Sequence, residues 1–204
     1  MNILTHLGIS MKLKQAIETN FHIKLSTISF LMGNIRPDIS PRYNNIPHFK
    51  KDAEGFIREE IQNILSGKIY EYEKCSSSLS ERLGIITHYL SDFFCFAHSK
   101  YFTGGIIEHY LYEMQLSHYC ISNSKEINQS GYDNNIVINQ NSSSIVSHID
   151  ELHKKYLNSS CNKACPRDDM DFALNACISV CSSIIALCMT RKDSYISSEQ
   201  EVLV

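Results

Sequence analysis

There is no tryptophan in this chain of 204 residues, and only four prolines and eight glycines interrupt it. So few breakers, with few alternating apolar and polar runs, argue against many short strands and for an all-α protein. An excess of charge of one sign is also missing: the net charge is −3, with acidic and basic residues interspersed. That excludes the basic field on which sequence-independent nucleic-acid binding depends, so no stable nucleic-acid complex is expected and a charged substrate must be held locally. There is no run of about eighteen uninterrupted apolar residues, and MNILTHLGIS lacks a basic stretch leading into a long apolar one. No transmembrane segment is expected, and the location expected is cytoplasmic. Cysteine is plentiful at eight. Cys161 and Cys165, like Cys177 and Cys181, are spaced i, i+4, which reads as helical thiols in a reducing compartment. Cys177, Cys181 and Cys188 are expected to be small core residues.

Residues 1–204 read as a single domain. Helical periodicity predicts segments near 9–20, 24–34, 48–65, 78–101, 105–119, 144–157 and 168–191. Ser78 followed by Glu81 has the capping-box pattern of a helix start. Breaks are expected from Arg36-Pro37-Asp38 to Pro41, at Asn44-Asn45 before Pro47, and at Gly104-Gly105. The Asn- and Ser-rich stretch 121–144 predicts a surface loop.

The central helices carry the chemistry. THYLSDFFCFAH places His88, Asp92 and His98 within about a third of a helix circumference, at about 100° per residue. One helix is therefore expected to present all three to one cavity. EHYLYE adds His109 and Glu113 at i, i+4, and Gly104-Gly105 lets the second helix turn back to face the first. Any one of these histidines alone would read as an ordinary polar helix residue. Together with a carboxylate beside the apolar Ile85 and Phe96 they call for a cation, because an unpaired buried carboxylate is costly. Imidazole and carboxylate ligands suit zinc, manganese or iron, and the histidine share favours zinc. Paired Glu-x-x-His motifs and an adjacent His-Asp pair are absent, which sets aside ferritin-like and HD-type sites.

The ordered set resembles the zinc-dependent phospholipase C family, whose helical fold and trinuclear site are shared with single-strand-specific nucleases. The residues that carry the resemblance are Thr5-His6, then FLMGNIRPD ending at Asp38, Pro47-His48, His88-x3-Asp92-x5-His98 and His109-x3-Glu113. It covers roughly residues 1–115 and implies a single-domain helical bundle of the phospholipase C and single-strand nuclease type, with up to three zinc ions. By resemblance, Asp38, His48, His88 and a bridging Asp92 hold one zinc, and His98, His109 and Glu113 hold a second. His6, Asp92 and the amino-terminal group hold the third. Relatives begin with tryptophan; here Met1 lies five residues before His6, so its amine is the corresponding ligand, and the bulky Asn2 disfavours removal of Met1. Relatives usually have proline two before the histidine matching His98, where this chain has Phe96. His22, His118, His148 and His153 match nothing in the pattern.

The resemblance implies hydrolysis of a phosphate ester, with Asp38 orienting or deprotonating the attacking water. A phospholipid substrate leads, with Phe93, Phe94, Phe96, Tyr101 and Phe102 as either an apolar entrance or simply core. A single-strand nuclease or phosphodiesterase is the alternative, with Arg36, Arg42, Lys50 and Lys51 as candidate basic groups or merely solvated ones. A metal-binding protein without turnover is the other.

Overall fold

Every residue of 83–93 is buried, which a helix tolerates only when neighbours surround it. That helix, α4 (Ser77–Phe93), is the axis of the molecule, and in the computed structural model α1 (Ile3–Phe21), α2 (Thr27–Ile39), α3 (Lys50–Ser66) and the last helix, α7 (Pro166–Val202), pack around it. α5 (Ile106–Ser122) lies against α1 and α7, and α6 (Ser142–Ser159) against α3 and α7. The structure describes residues 1–67, 77–123, 141–159 and 164–202, and among them the only regular elements are these helices and two 3-10 turns, Pro41–Tyr43 and Phe96–His98. Most of the expected loop at 121–144 falls outside the described residues; α5 ends at Ser122 and α6 begins at Ser142.

Leu83, Ile86 and Leu90 are fully buried, each contributing roughly 1.5–3 kcal/mol of apolar transfer. Polar residues on the same helix are matched rather than merely enclosed. The Thr87 hydroxyl donates to Asn34 Oδ1 at 2.9 Å. α2 and α4 cross in near backbone contact at two glycines: a Cβ on Gly33 would lie 2.1 Å from the Glu81 carbonyl oxygen, and one on Gly84 would lie 2.4 Å from that of Phe30.

Three expectations are corrected. α1 starts at Ile3 rather than near 9, because the Asn2 side chain caps it by accepting from Thr5 N–H at 3.1 Å. α2, expected to end at 34, runs through Pro37 to Ile39, so the break expected from Arg36-Pro37-Asp38 to Pro41 falls only at its far end. The proline forfeits only its own hydrogen bond to the Gly33 carbonyl, and Ser40 N–H still closes onto Arg36 O at 2.9 Å. The helix expected at 78–101 ends at Phe93, so His98 sits on the following 3-10 turn instead of on α4. Tight bonds from Phe94 N–H to Ser91 O and Cys95 N–H to Asp92 O close it, and the Phe96 N–H turns away to a carboxylate on α7.

Cys177 and Cys181 are buried core residues, and all the described cysteines are free thiols. The stretch Pro166–Thr190 of α7 is long and apolar enough to cross a membrane, but 67% of its most apolar window is buried inside the bundle.

Candidate metal centre

Nine candidate residues from six parts of the chain meet at one end of α4. Its last two turns supply His88 and Asp92, both fully buried. α1 brings His6, the end of α2 brings Asp38, the stretch before α3 brings His48, the 3-10 turn brings His98, and α5 brings His109 and Glu113. The Met1 amine, also buried, pairs with Asp92 and lies 3.2 Å from Glu113 Oε1.

Besides a group of His48, Asp92 and His98 that links them, three sets of ligand atoms are evident. His98 Nε2, His109 Nε2 and Glu113 Oε1 form a triangle with sides of 3.2, 3.1 and 3.0 Å. His48 Nδ1, His88 Nε2 and Asp38 Oδ1 form another, with sides of 3.3, 3.7 and 3.8 Å. His6, His88 and Asp92 form the third, with His6 Nε2 3.5 Å from Asp92 Oδ1 and His88 Nε2 3.4 Å from Asp92 Oδ2. Zinc–nitrogen bonds of about 2.0–2.1 Å in tetrahedral array put neighbouring ligand atoms roughly 3.3 Å apart, so these triangles have the right size for the ion. His6 Nε2 is buried without a hydrogen-bond partner, as a nitrogen directed at a cation would be.

Neighbouring groups fix which nitrogen faces the centre. His88 Nδ1 donates to the Asn34 carbonyl at 2.7 Å, which leaves Nε2 as its ligating atom. Ser91 spends its single hydroxyl proton on the His88 carbonyl at 2.8 Å, so at 3.2 Å it accepts from His6 Nδ1, and His6 Nε2 is left bare. Asn34 and Ser91 are thus site residues that spacing alone did not reveal. A serine and an asparagine inside apolar helical runs are the only trace they leave.

Burial would push the Asp92 carboxyl up, but the Met1 ammonium, His98, His6 and the 2.7 Å bond with His48 outweigh it and hold Asp92 well below the usual carboxylate range. Burial also raises Glu113, and hydrogen bonding to His98 with the Met1 charge reverses this to about 2. Burial, and then neighbouring cationic groups, lower His88 and His98, which keeps them neutral and able to ligate. Asp38 is raised by burial, and the Met1 amine is carried to about 11 because Asp92, Cys95 and Glu113 overcome its burial. The donor set suits a divalent cation: anionic carboxylates, neutral imidazoles and an amine with a proton to give up.

The cluster opens into a cavity of about 570 Å³ lined by Met1, Ile3, Leu4, Asp38, Phe49 and Tyr110 among others. Among the described residues no lysine or arginine lines it. The four basic residues near the ligands in sequence are not at its wall: Arg36 pairs with Glu81, Arg42 lies over Tyr43, Lys50 binds Glu54 and Asp150, and Lys51 is exposed. Of the aromatic residues considered for an entrance, Phe93 and Phe94 are core and Phe96 packs against it. Phe102 stands beside His109, with ring centroids 5.6 Å apart.

No curated protein and no solved structure matches the chain. A sequence model of the family described as zinc dependent phospholipase C matches residues 3–163, a span holding every candidate ligand except Met1, so this chain belongs to the zinc-dependent phospholipase C family of metal-dependent hydrolases.

Proposed function

We propose that the protein hydrolyses the phosphodiester of a phospholipid with neutral headgroup charge, in the manner of a phospholipase C, using up to three zinc ions. The observation that carries this reading is the character of the rim. Ile3, Leu4, Phe49 and Tyr110 surround the mouth, and α5 continues outward from it with Ile106, Ile107, Leu111 and Met114, at 90, 71, 52 and 48% exposure. An exposed apolar surface of this kind marks an interaction site, and beside a metal-binding cleft it suits the acyl part of a lipid. A polynucleotide would be better served by lysines and arginines along its path, and among the described residues the cavity wall has none.

Within this reading His98, His109 and Glu113 would hold one zinc, Asp38, His48 and His88 a second, and His6 with the Met1 amine a third, with Asp92 in reach of all three sets. Zinc supplies Lewis acidity, lowering the pKa of water towards ~7 and neutralising phosphoryl oxygens. Asp38 is 19% exposed at the cavity wall and its carboxyl is raised by burial, so it is placed to orient the attacking water and take its proton. His88 cannot serve two ions, because its second nitrogen is committed to Asn34.

The test is zinc content by elemental analysis of protein with a free Met1 amine, beside turnover of phosphatidylcholine vesicles, bis(p-nitrophenyl) phosphate and single-stranded DNA. Chelator-sensitive cleavage of phosphatidylcholine with two or three zinc ions per chain is expected. Full zinc with cleavage of DNA alone would transfer the assignment to a nuclease, and full zinc with no turnover would leave a metal-binding protein. An amino-terminal extension turns the Met1 amine into an amide and should remove one zinc per chain.

A further inference from the structure

Asp169 lies outside the metal cluster and beyond the family match, in the first turn of α7, and is fully buried. Its partners are neutral donors: Oδ2 accepts from the Phe96 backbone N–H at 2.7 Å and the Tyr112 hydroxyl at 2.8 Å, and Oδ1 accepts from the Tyr156 hydroxyl at 2.8 Å. Phe96 opens the 3-10 turn that ends at His98, and Tyr112 immediately precedes Glu113 on the helix that also carries His109. One carboxylate oxygen therefore joins the two elements that make the His98, His109 and Glu113 triangle. The other oxygen reaches α6, which contributes no candidate ligand.

Resting on the zinc reading above, we propose that Asp169 is a positioning residue for the His98, His109 and Glu113 metal site, setting the distance between the 3-10 turn and α5. The side chains of those three residues converge within 3.2 Å of one another only if turn and helix keep their relative place. A shift of about an ångström between them would open the triangle beyond what a tetrahedral ion spans. Phe96 is the position where proline, with no N–H to donate, would remove the clamp. The backbone admits one: Phe96 is the first residue of its turn, and Cys95 before it is extended at φ −104°, ψ 124°, as a residue preceding proline must be.

The experiment titrates the full chain with zinc against a chromogenic chelator and records thermal unfolding of the metal-free protein. Phe96→Pro is compared with Phe96→Ala, since both lose the ring and only proline loses the N–H. Tyr112→Phe is compared with Tyr156→Phe, since each frees one donor from the same carboxylate. One zinc should bind about tenfold more weakly in Phe96→Pro than in Phe96→Ala, and more weakly in Tyr112→Phe than in the wild type. Tyr156→Phe should lose thermal stability but keep wild-type zinc affinity, which separates positioning from mere packing. Equal affinity in the two Phe96 variants, or an equal zinc loss in the two tyrosine variants, overturns the proposal. If Phe96→Pro does not fold, the tyrosine pair decides by the same criterion. A wild-type chain that takes up no zinc overturns the zinc reading and this proposal together, whereas normal loading with no difference among variants overturns this proposal alone.

Discussion

Asp92 is surrounded by charge rather than by water. It pairs with the Met1 amine and with His48, while His6, His88 and His98 stand 3.4–3.6 Å from its two oxygens. Asp92 touches all three ligand sets, so Asp92→Asn should cost more than one zinc per chain and lower turnover on the order of 10³-fold. His109→Ala, at a residue 32% exposed and touching one set, should cost a single zinc; elemental analysis of the two variants checks the order. Asp38→Asn should lose roughly 10²–10⁴-fold in kcat, the range expected of a general base. Asp169 gives a separate pH dependence. Burial lifts its carboxyl from 3.8 to about 6, so the native state keeps a proton that the unfolded chain has released. The stability this lends is complete below 3.8 and lost as pH rises through about 6. Against Asp169→Asn, the wild type should therefore lose roughly 2–3 kcal/mol between about pH 4 and 6.5, measurable by urea unfolding at each pH.

At the scale of elements, the α2 and α4 crossing sets where Asp38 stands relative to His88. Gly33→Ala would press a methyl group into the Glu81 backbone and should destabilise by about 1–3 kcal/mol while weakening zinc binding. Gly55→Ala is the contrast: nothing lies near its added carbon on exposed α3, so a gain of about 0.5–1 kcal/mol is expected in the same unfolding assay. Element identity was readable because apolar periodicity and i, i+4 ligand pairs both require a helix. Element ends were less so. The apolar run through Phe93, Phe94 and Phe96 continues the helical period, and the reason α4 stops is a carboxylate 73 residues away. The candidate ligands that the fold brings together could be picked out by type and order, whereas Asn34, Ser91 and Asp169 act through contacts that no spacing rule encodes. Of the aromatic residues expected at an entrance, Phe93, Phe94 and Phe96 face the core, Phe102 stands beside His109, and the rim is built by α1, Phe49 and α5.

For the whole molecule, the candidate ligand sets join six separate parts of the chain, so zinc bound there would be folding free energy. Raising free zinc from none to about a hundred times its Kd should add about 2.7 kcal/mol and raise Tm by roughly 5–10 °C, and a chelator should reverse this. The metal-free chain should stay folded, because the Met1 ammonium already offsets part of the Asp92 and Glu113 charge. The place of α7 adds a matter of timing. All the candidate ligands have been synthesised by residue 113, yet the helix that backs α4 and takes up the Phe96 N–H comes only after residue 165. A nascent chain would thus carry every zinc-binding group well before it could hold them in register, and loading of the His98 site becomes one of the last events of its maturation.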